Sequence, residues 1–141
     1  MTSAGTPRML FVNLPVHDLA AAAAFFTRLG FRLDERFSDD RATCLVVNDQ
    51  ACVMLLAEKF FASFTTKDVA DPAASTGAIL TVSADSRADV DALVDRAIAL
   101  GGRVAQQPSD QGYMYGRSFY DLDGHAWEVM WMDAGAAAQA F

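Results

Sequence analysis

The feature that most constrains the fold is an order of predicted elements that occurs twice along the chain. Residues 9–16, MLFVNLPV, are typical of a strand, Asp18 is placed to cap a helix, and Gly30 is placed to end it. Three strand-like segments follow. Residues 77–84, GAILTVSA, begin a second strand, helix and three strands, with Ser86 as the helix cap. Because units this short bury little apolar surface alone, the sequence predicts two paired βαβββ modules.

Turn signals set the expected strand pairing inside each module. Asn48-Asp49 predicts a tight hairpin in the first module, which would place Cys52 opposite Leu45, and Asp123-Gly124 predicts one in the second. We therefore expect a single α+β domain over residues 1–141 that consists of two paired modules. The expected segments are a first module at 9–56, a connector at 57–76, a second module at 77–132 and a tail at 133–141.

Composition narrows the classes of partner. The chain has 11 Lys and Arg against 18 Asp and Glu, a formal net charge of −7 at pH 7. Nucleic-acid and membrane-surface binders carry basic runs, so we expect neither partner, and the acidity fits a neutral or cationic small molecule. No apolar run approaches the roughly 20 residues that cross a bilayer, and the start lacks a signal-peptide pattern. We expect a cytoplasmic protein in which Cys44 and Cys52 are small buried residues.

Three short motifs carry a resemblance to a known superfamily. They are VHDL at Val16–Leu19, LGF at Leu29–Phe31 and DLDGHAWE at Asp121–Glu128. In this order and spacing they resemble the vicinal oxygen chelate superfamily, which includes glyoxalase I, extradiol dioxygenases, fosfomycin-resistance enzymes and bleomycin-resistance proteins. Within it, the sequence is most similar to small bacterial glyoxalase-like proteins. The resemblance implies that the two βαβββ modules pair into a curved, open mixed sheet that forms a cup. It also implies a homodimer.

The resemblance also implies a metal site with His, Gln or Glu ligands on the first and last strands of each module. The corresponding positions here are Phe11, Val53, Gly77 and Glu128. Only Glu128 can bind a metal, and a two-residue slip, which keeps the strand face, brings in only Asn13 and Ile79. A catalytic divalent metal usually needs at least three protein ligands. We therefore expect no metal and no other cofactor.

Alternation along the strands assigns side chains to two faces. We expect the cup to be lined by Phe11, Asn13, Val53, Leu55, Ile79, Thr81, Glu128 and Met130. We expect the helices to be faced by Val12, Leu14, Met54, Trp127, Val129 and Trp131. Glu128 would then be partly removed from water, which raises a carboxyl pKa and suits a general base. The alternative is a structural carboxylate paired with Arg117 or capped by Tyr113 or Tyr115.

The candidate ligand contacts are aromatic, amide and cationic side chains near this cup. They are Phe11, Asn13, Tyr113, Tyr115, Arg117 and Met130. Asn13, read as a buried amide, fits either a ligand carbonyl or a neighbouring backbone group. Three functions follow. The favoured one is metal-free binding of a small molecule, the second is a glyoxalase-like lyase or isomerase with Glu128 as base, and the last is a protein-interaction module.

Overall fold

The computed structural model describes residues 5–135, which divide into two compact units between Val69 and Ala70. This division lies inside the predicted connector. The elements of the first unit are β1 (Leu10–Val16), α1 (Leu19–Leu29), β2 (Arg32–Asp34), a 3-10 turn (Glu35–Phe37), β3 (Ala42–Asn48), β4 (Ala51–Ala57) and α2 (Glu58–Ala62). Those of the second are β5 (Ile79–Ser83), α3 (Arg87–Ala99), β6 (Arg103–Val104), β7 (Ser109–Asp110), β8 (Met114–Tyr120) and β9 (Ala126–Met132).

Each unit forms its own mixed sheet. The strand order is β1-β4-β3-β2 in the first unit and β5-β9-β8-β6 in the second, where β7 also pairs with β8. The first strand of each unit runs parallel to the last, and the other pairs are antiparallel. The predicted α+β class and the twofold βαβββ order are therefore confirmed. Most of the predicted tail, residues 136–141, lies outside the described residues.

The first helix begins and ends where its capping residues require. Asp18 Oδ1 accepts a hydrogen bond from the N–H of Ala21 at 3.0 Å, and Gly30 ends α1 with φ 107°. Only glycine adopts that backbone conformation without steric cost. Phe25 and Phe26 are 3% and 1% exposed and form the buried face of α1, which packs on β3 and β4.

Helix α3 has the same arrangement in the second unit. Ser86 Oγ accepts a hydrogen bond from the N–H of Asp89 at 3.0 Å, which confirms the predicted cap. Val90, Val94 and Ala97 are at most 1% exposed and face β8 and β9. No helix within residues 5–135 has the length and apolar character needed to span a membrane.

The connector is partly ordered by aromatic contacts. Its first residues form α2, and the rings of Phe60 and Phe64 meet edge to face with their centroids 4.9 Å apart. The guanidinium of Arg41 lies 4.4 Å from the centre of the Phe60 ring. These contacts pack the start of the connector against Arg41 of the same unit.

Candidate functional site

Glu128 lies half-buried on the face of the second sheet that is turned away from α3. The strand register places it between Thr81 of β5 and Ser118 of β8. Thr81 Oγ1 donates a hydrogen bond to Glu128 Oε1 at 3.1 Å, and no cation within residues 5–135 forms an ion pair with this carboxylate. Met130 shares the face, and a Cβ at the neighbouring Gly116 would lie 4.0 Å from Glu128 Oε2. The carboxylate thus stands among small, uncharged neighbours, on what we call the Glu128 face.

Tyr115 and Arg117 lie on the opposite face of the same sheet. Tyr115 Oη donates to Asp91 Oδ1 at 2.7 Å, and Arg117 Nη1 donates to Asp91 Oδ1 at 3.0 Å and to Asp95 Oδ1 at 2.9 Å. The bond from Tyr115, followed by that from Arg117, lowers the pKa of Asp91, and the bond to Asp91 raises the pKa of Tyr115. These groups fasten β8 to α3. The alternative that paired Arg117 or Tyr115 with Glu128 is therefore wrong, because strand alternation directs them to opposite faces.

Tyr113 lies in the connection between β7 and β8. Its side chain is half-buried, and its carbonyl oxygen accepts a hydrogen bond from the N–H of Asp133 at 2.7 Å. Arg87 holds this connection, since its guanidinium donates to Asp110 Oδ1 and Oδ2 at 2.9 and 2.8 Å and to the carbonyl of Gly112 at 2.8 Å. The side-chain bond from Arg87 and the N–H of Gly112 lower the pKa of Asp110 to about 2. A ligand contact of Tyr113 stays a prediction.

The DLDGHAWE segment is organised around a buried carboxylate. Asp121 is 5% exposed, and its Oδ1 accepts hydrogen bonds from the N–H groups of Asp123 and His125, both at 3.0 Å. Its Oδ2 accepts a bond from the indole Nε1 of Trp127, also at 3.0 Å. Burial raises the pKa of Asp121. This carboxylate fixes the loop between β8 and β9 and the start of the strand that carries Glu128.

A polar cavity of about 250 Å³ lies beside this loop. Segment 72–76 folds against the loop so closely that a Cβ at Gly124 would lie 2.8 Å from the carbonyl oxygen of Pro72. Gly124 also has φ 97°, so glycine is required there for two separate reasons. Ser75, Thr76 and Arg103 line the cavity, which contains none of the predicted site residues.

Phe11 and Asn13 lie on the exposed side of the edge strand β1, on what we call the Phe11 face. The parallel register pairs Phe11 with Cys52 and Asn13 with Met54, so these β4 residues share the face. Asn13 is exposed, and the prediction of a buried amide is wrong because β1 is an edge strand. A one-residue offset exchanges the two faces of a strand. Three β4 residues therefore face the opposite way from the prediction, namely Val53, Leu55 and Met54.

The hairpin between β3 and β4 accounts for a second difference. The turn forms at Asp49-Gln50, one residue later than predicted, so that Ala51 pairs with Asn48. The register then shifts between Val46 and Asn48, which places Cys52 opposite Val46 and not opposite Leu45 as predicted. Cys44 and Cys52 are buried free thiols on the same face, as expected of small buried residues. Burial, and then the hydrogen bond with Cys52, raise the pKa of Cys44 to about 11.

A second and larger cavity, of about 360 Å³, opens on the Phe11 face. Its apolar lining consists of Met9, Phe11, Phe37, Val46 and Cys52. Its polar lining consists of Arg32, Asp34, Arg36, Asn48 and Asp49. Except for Phe11, the sequence reasoning missed these residues as ligand contacts. The spacing of Arg32 and Asp34, two apart on one strand, was the available signal that both share a face.

The charges of this larger cavity are only partly neutralised. Arg36 Nε and Nη2 donate to Asp34 Oδ1 and Oδ2 at 3.0 and 2.8 Å, and the guanidinium of Arg36 lies 5.4 Å from the centre of the Phe37 ring. The side-chain bond between them lowers the pKa of Asp34 and raises that of Arg36. Within residues 5–135, neither Arg32 nor Asp49 forms an ion pair.

The donor atoms of neither open face fit the metal that the resemblance implies. The cavity on the Phe11 face offers the Cys52 thiol, the Asp49 carboxylate and the Asp34 carboxylate, whose two oxygens Arg36 holds. The Glu128 face offers one carboxylate with hydroxyl neighbours. Within residues 5–135, no three His, Cys, Asp or Glu side chains come together as a metal site would require. The absence of a bound metal in the protein stays a prediction.

Comparison with known proteins gives one family and many similar structures. A hypothetical protein SA1046 from S. aureus is 28% identical, with a TM-score of 0.76 over 89% of this chain and 95% of that one. A glyoxalase/bleomycin resistance protein/dioxygenase family enzyme from Burkholderia phytofirmans PsJN is 22% identical, with a TM-score of 0.72 over 87% and 97%. A lactoylglutathione lyase from Agrobacterium tumefaciens is 19% identical, with a TM-score of 0.65 over 90% and 95%.

Searching the curated proteins gives no significant match. The family model described as Glyoxalase/Bleomycin resistance protein/Dioxygenase superfamily matches residues 8–129, which include all strands of both units up to Val129 of β9. This match agrees with the twofold βαβββ order and with the two mixed sheets of the structure. The chain therefore belongs to the glyoxalase/bleomycin resistance protein/dioxygenase superfamily.

Proposed function

We propose that the chain binds a small organic molecule on the Phe11 face, without the metal ion that the resemblance implies. The observation that carries this proposal is the cavity of about 360 Å³ in the first unit. Its aromatic walls, Phe11 and Phe37, are 49% and 57% exposed. Apolar pockets with a few polar groups are the usual form of a small-molecule site, and clustered exposed apolar residues mark binding surfaces.

The chemistry of the open faces supports binding without a metal. Each face offers too few ligand atoms for a catalytic divalent ion. The resemblance includes bleomycin-resistance proteins, which sequester a drug without transforming it. A protein of that kind needs a shaped apolar surface and no reactive centre, and the Phe11 face supplies such a surface.

Thermal shift measurements with a panel of aromatic acids, amines and alcohols test the proposal. A ligand at 100 times its dissociation constant adds about 2.7 kcal/mol to the free energy of unfolding, which is easily measured. Phe11→Ser should abolish the stabilisation. Phe64→Ser is the matched control, because Phe64 is 69% exposed but does not line the cavity. Stabilisation by no member of the panel would contradict the proposal.

A glyoxalase-like lyase or isomerase is the second candidate, and Glu128 favours it. This carboxylate has a hydroxyl donor at Thr81, no ion-pair partner within residues 5–135, and a neighbour without a side chain at Gly116, where a Cβ would lie 4.0 Å from Glu128 Oε2. A base so placed can take a proton from a carbon beside a carbonyl and return it to the neighbouring atom. Because no three metal-binding side chains come together within residues 5–135, the charge formed on the substrate oxygen would rest on neutral donors such as the Thr81 hydroxyl.

Turnover of the methylglyoxal–glutathione adduct tests this second candidate. Activity that survives a chelator and disappears in Glu128→Gln would support it. Glu35→Gln is the control, since Glu35 lies in the 3-10 turn of the first unit. No turnover in the unchanged protein would remove the candidate. The homodimer is proposed from the resemblance alone, and light scattering at the mass of one chain would contradict it.

A further inference from the structure

We propose that the cavity on the Phe11 face selects ligands in which a planar apolar body carries a carboxylate, and that Arg32 is the residue that selects them. The inference rests on the proposed binding function and adds the class of ligand. Its basis is the guanidinium of Arg32, which forms no ion pair within residues 5–135 and lies at the end of an apolar row of side chains.

The row crosses all four strands of the first sheet. Arg32 on β2 lies opposite Val46 on β3, Val46 lies opposite Cys52 on β4, and Cys52 pairs with Phe11 on β1. Residues paired across strands share a face, so these four side chains stand side by side on one surface. With about 4.8 Å between strands, the Cα atoms of Arg32 and Phe11 are roughly 14 Å apart. An aromatic ring system resting on the middle of the row therefore brings a carboxylate on its edge within reach of Arg32.

The charges around the row favour an anion over a cation. Asp34 is neutralised by Arg36, whose Nε and Nη2 hold both of its oxygens, and Nη1 of Arg36 forms no hydrogen bond within residues 5–135. Arg32 adds a second guanidinium, whose charge, after the bond from Arg36, also lowers the pKa of Asp34 but which forms no ion pair within residues 5–135. Asp49 is the remaining uncommitted acid, but it lies in the β3–β4 turn and outside the row.

A guanidinium binds a carboxylate through two parallel N–H···O bonds, which gives direction as well as strength. The apolar floor of Val46 and Cys52 keeps water from one side of that pair and strengthens it. The anionic ligand favoured by this cavity differs in charge from the partner expected from the net charge of −7, which favours neutral or cationic ligands. The side chains that line a cavity determine its selectivity, and the distant charges mainly change the rate of encounter.

Three probes with one ring system test the inference by isothermal titration calorimetry: naphthoate, naphthylmethanol and naphthylmethylammonium. We expect naphthoate to bind about 10-fold more tightly than the alcohol, a difference of about 1.4 kcal/mol. Arg32→Gln should remove that difference while leaving the affinity for the alcohol unchanged. Arg32→Lys should restore only part of it, because an ammonium lacks the paired donors. Arg28→Gln, at an exposed position on α1, is the control and should change neither affinity.

The outcomes separate this inference from the proposed function. If the alcohol or the ammonium probe binds best, or if Arg32→Gln leaves the preference for naphthoate intact, the inference is wrong and the binding function stands. If all three probes fail to bind, the proposed function on this face fails with it. Equal melting temperatures of the unchanged protein, Arg32→Gln and Arg28→Gln show that the comparison concerns folded protein.

Discussion

The contact between Asp121 and Trp127 offers a sharp test of how the DLDGHAWE segment is held. Asp121 Oδ1 accepts two backbone N–H groups, and Oδ2 accepts the indole N–H of Trp127, all at 3.0 Å. Asparagine has one acceptor and one donor in the same space. In either orientation of the amide, Asp121→Asn therefore sets a donor against a donor. Trp127→Phe removes the indole donor and keeps an aromatic ring beside Phe119, whose ring stacks 6.4 Å away.

The expected cost follows from the burial of the pair. Asp121 is 5% exposed and Trp127 is 1% exposed, so water cannot replace the lost partners. Losing a hydrogen bond to a charged group costs about 1.5–3 kcal/mol, and an unpaired buried donor costs about 1–3 kcal/mol. Asp121→Asn should thus lower the free energy of unfolding by about 3–5 kcal/mol. For a chain of this size, a change of about 1 kcal/mol shifts the melting temperature by roughly 3 °C, so the expected loss is roughly 9–15 °C.

A double-mutant cycle measured by urea unfolding isolates the pair. In the combined variant the donor–donor contact no longer exists. Its loss of unfolding free energy should therefore be smaller than the sum of the two single losses by about 1–3 kcal/mol. The change in ring size appears on both sides of the cycle and cancels. Additive costs within about 0.5 kcal/mol would refute the reasoning. So would an Asp121→Asn variant as stable as the unchanged protein, because the carboxylate would then not be the acceptor that holds this loop.

Three further predictions concern separate parts of the chain. Gly124→Ala should lower the free energy of unfolding by about 2–5 kcal/mol, because backbone strain and overlap with the carbonyl of Pro72 add together. Gly112 has φ 82° but open space around it, so Gly112→Ala should lower the free energy of unfolding by only about 1–2 kcal/mol. Equal losses in thermal unfolding would contradict the close approach at Gly124. The depressed pKa of Asp110, about 2, means that its contribution to stability is complete above the ordinary carboxyl value near 4 and is lost as pH falls through about 2. Arg87→Gln should remove this part of the acid dependence of melting, and an unchanged profile would count against the pair. Cys44, whose pKa is raised to about 11, should resist iodoacetamide at pH 8 until denaturant is added, and rapid labelling of the native thiol would contradict its burial.

The sequence predicted the local features of this fold well because their causes lie within a few residues. Asp18, Gly30 and Ser86 cap or end their helices as expected, since each acts on backbone groups in the adjacent turn. The order of elements followed from periodicity for the same reason. The face assignment of β9 was also correct, because Trp127 and Val129 are buried while Glu128 is only half-buried.

Register was the part that local signals did not determine. The β3–β4 turn forms at Asp49-Gln50 and not at Asn48-Asp49, and a bulge between Val46 and Asn48 offsets part of this change, which leaves the pairing one residue away from the prediction. Nothing in the Asn48-Asp49 signal indicates either feature. The faces of β4 were assigned from the resemblance and came out reversed, so Cys52 and not Val53 lies beside Phe11. Arg32 was missed because its neighbours on the face come from three other strands.

The motif and the cavity therefore carry different kinds of information. Asp121 and Trp127 form hydrogen bonds inside the second unit, and segment 72–76 packs on Gly124. These motif residues therefore stabilise the fold and do not contact a ligand in the proposed site. Only Glu128 brings a reactive group of the motif to an open strand face, and no cation within residues 5–135 forms an ion pair with it. Arg32 lies outside all three motifs, yet it lines the larger cavity with a guanidinium that forms no ion pair within residues 5–135. Function depends on the groups that contact a ligand, so substitutions at Arg32 should change ligand selectivity without changing stability. Substitutions at Asp121 should lower stability without changing ligand selectivity.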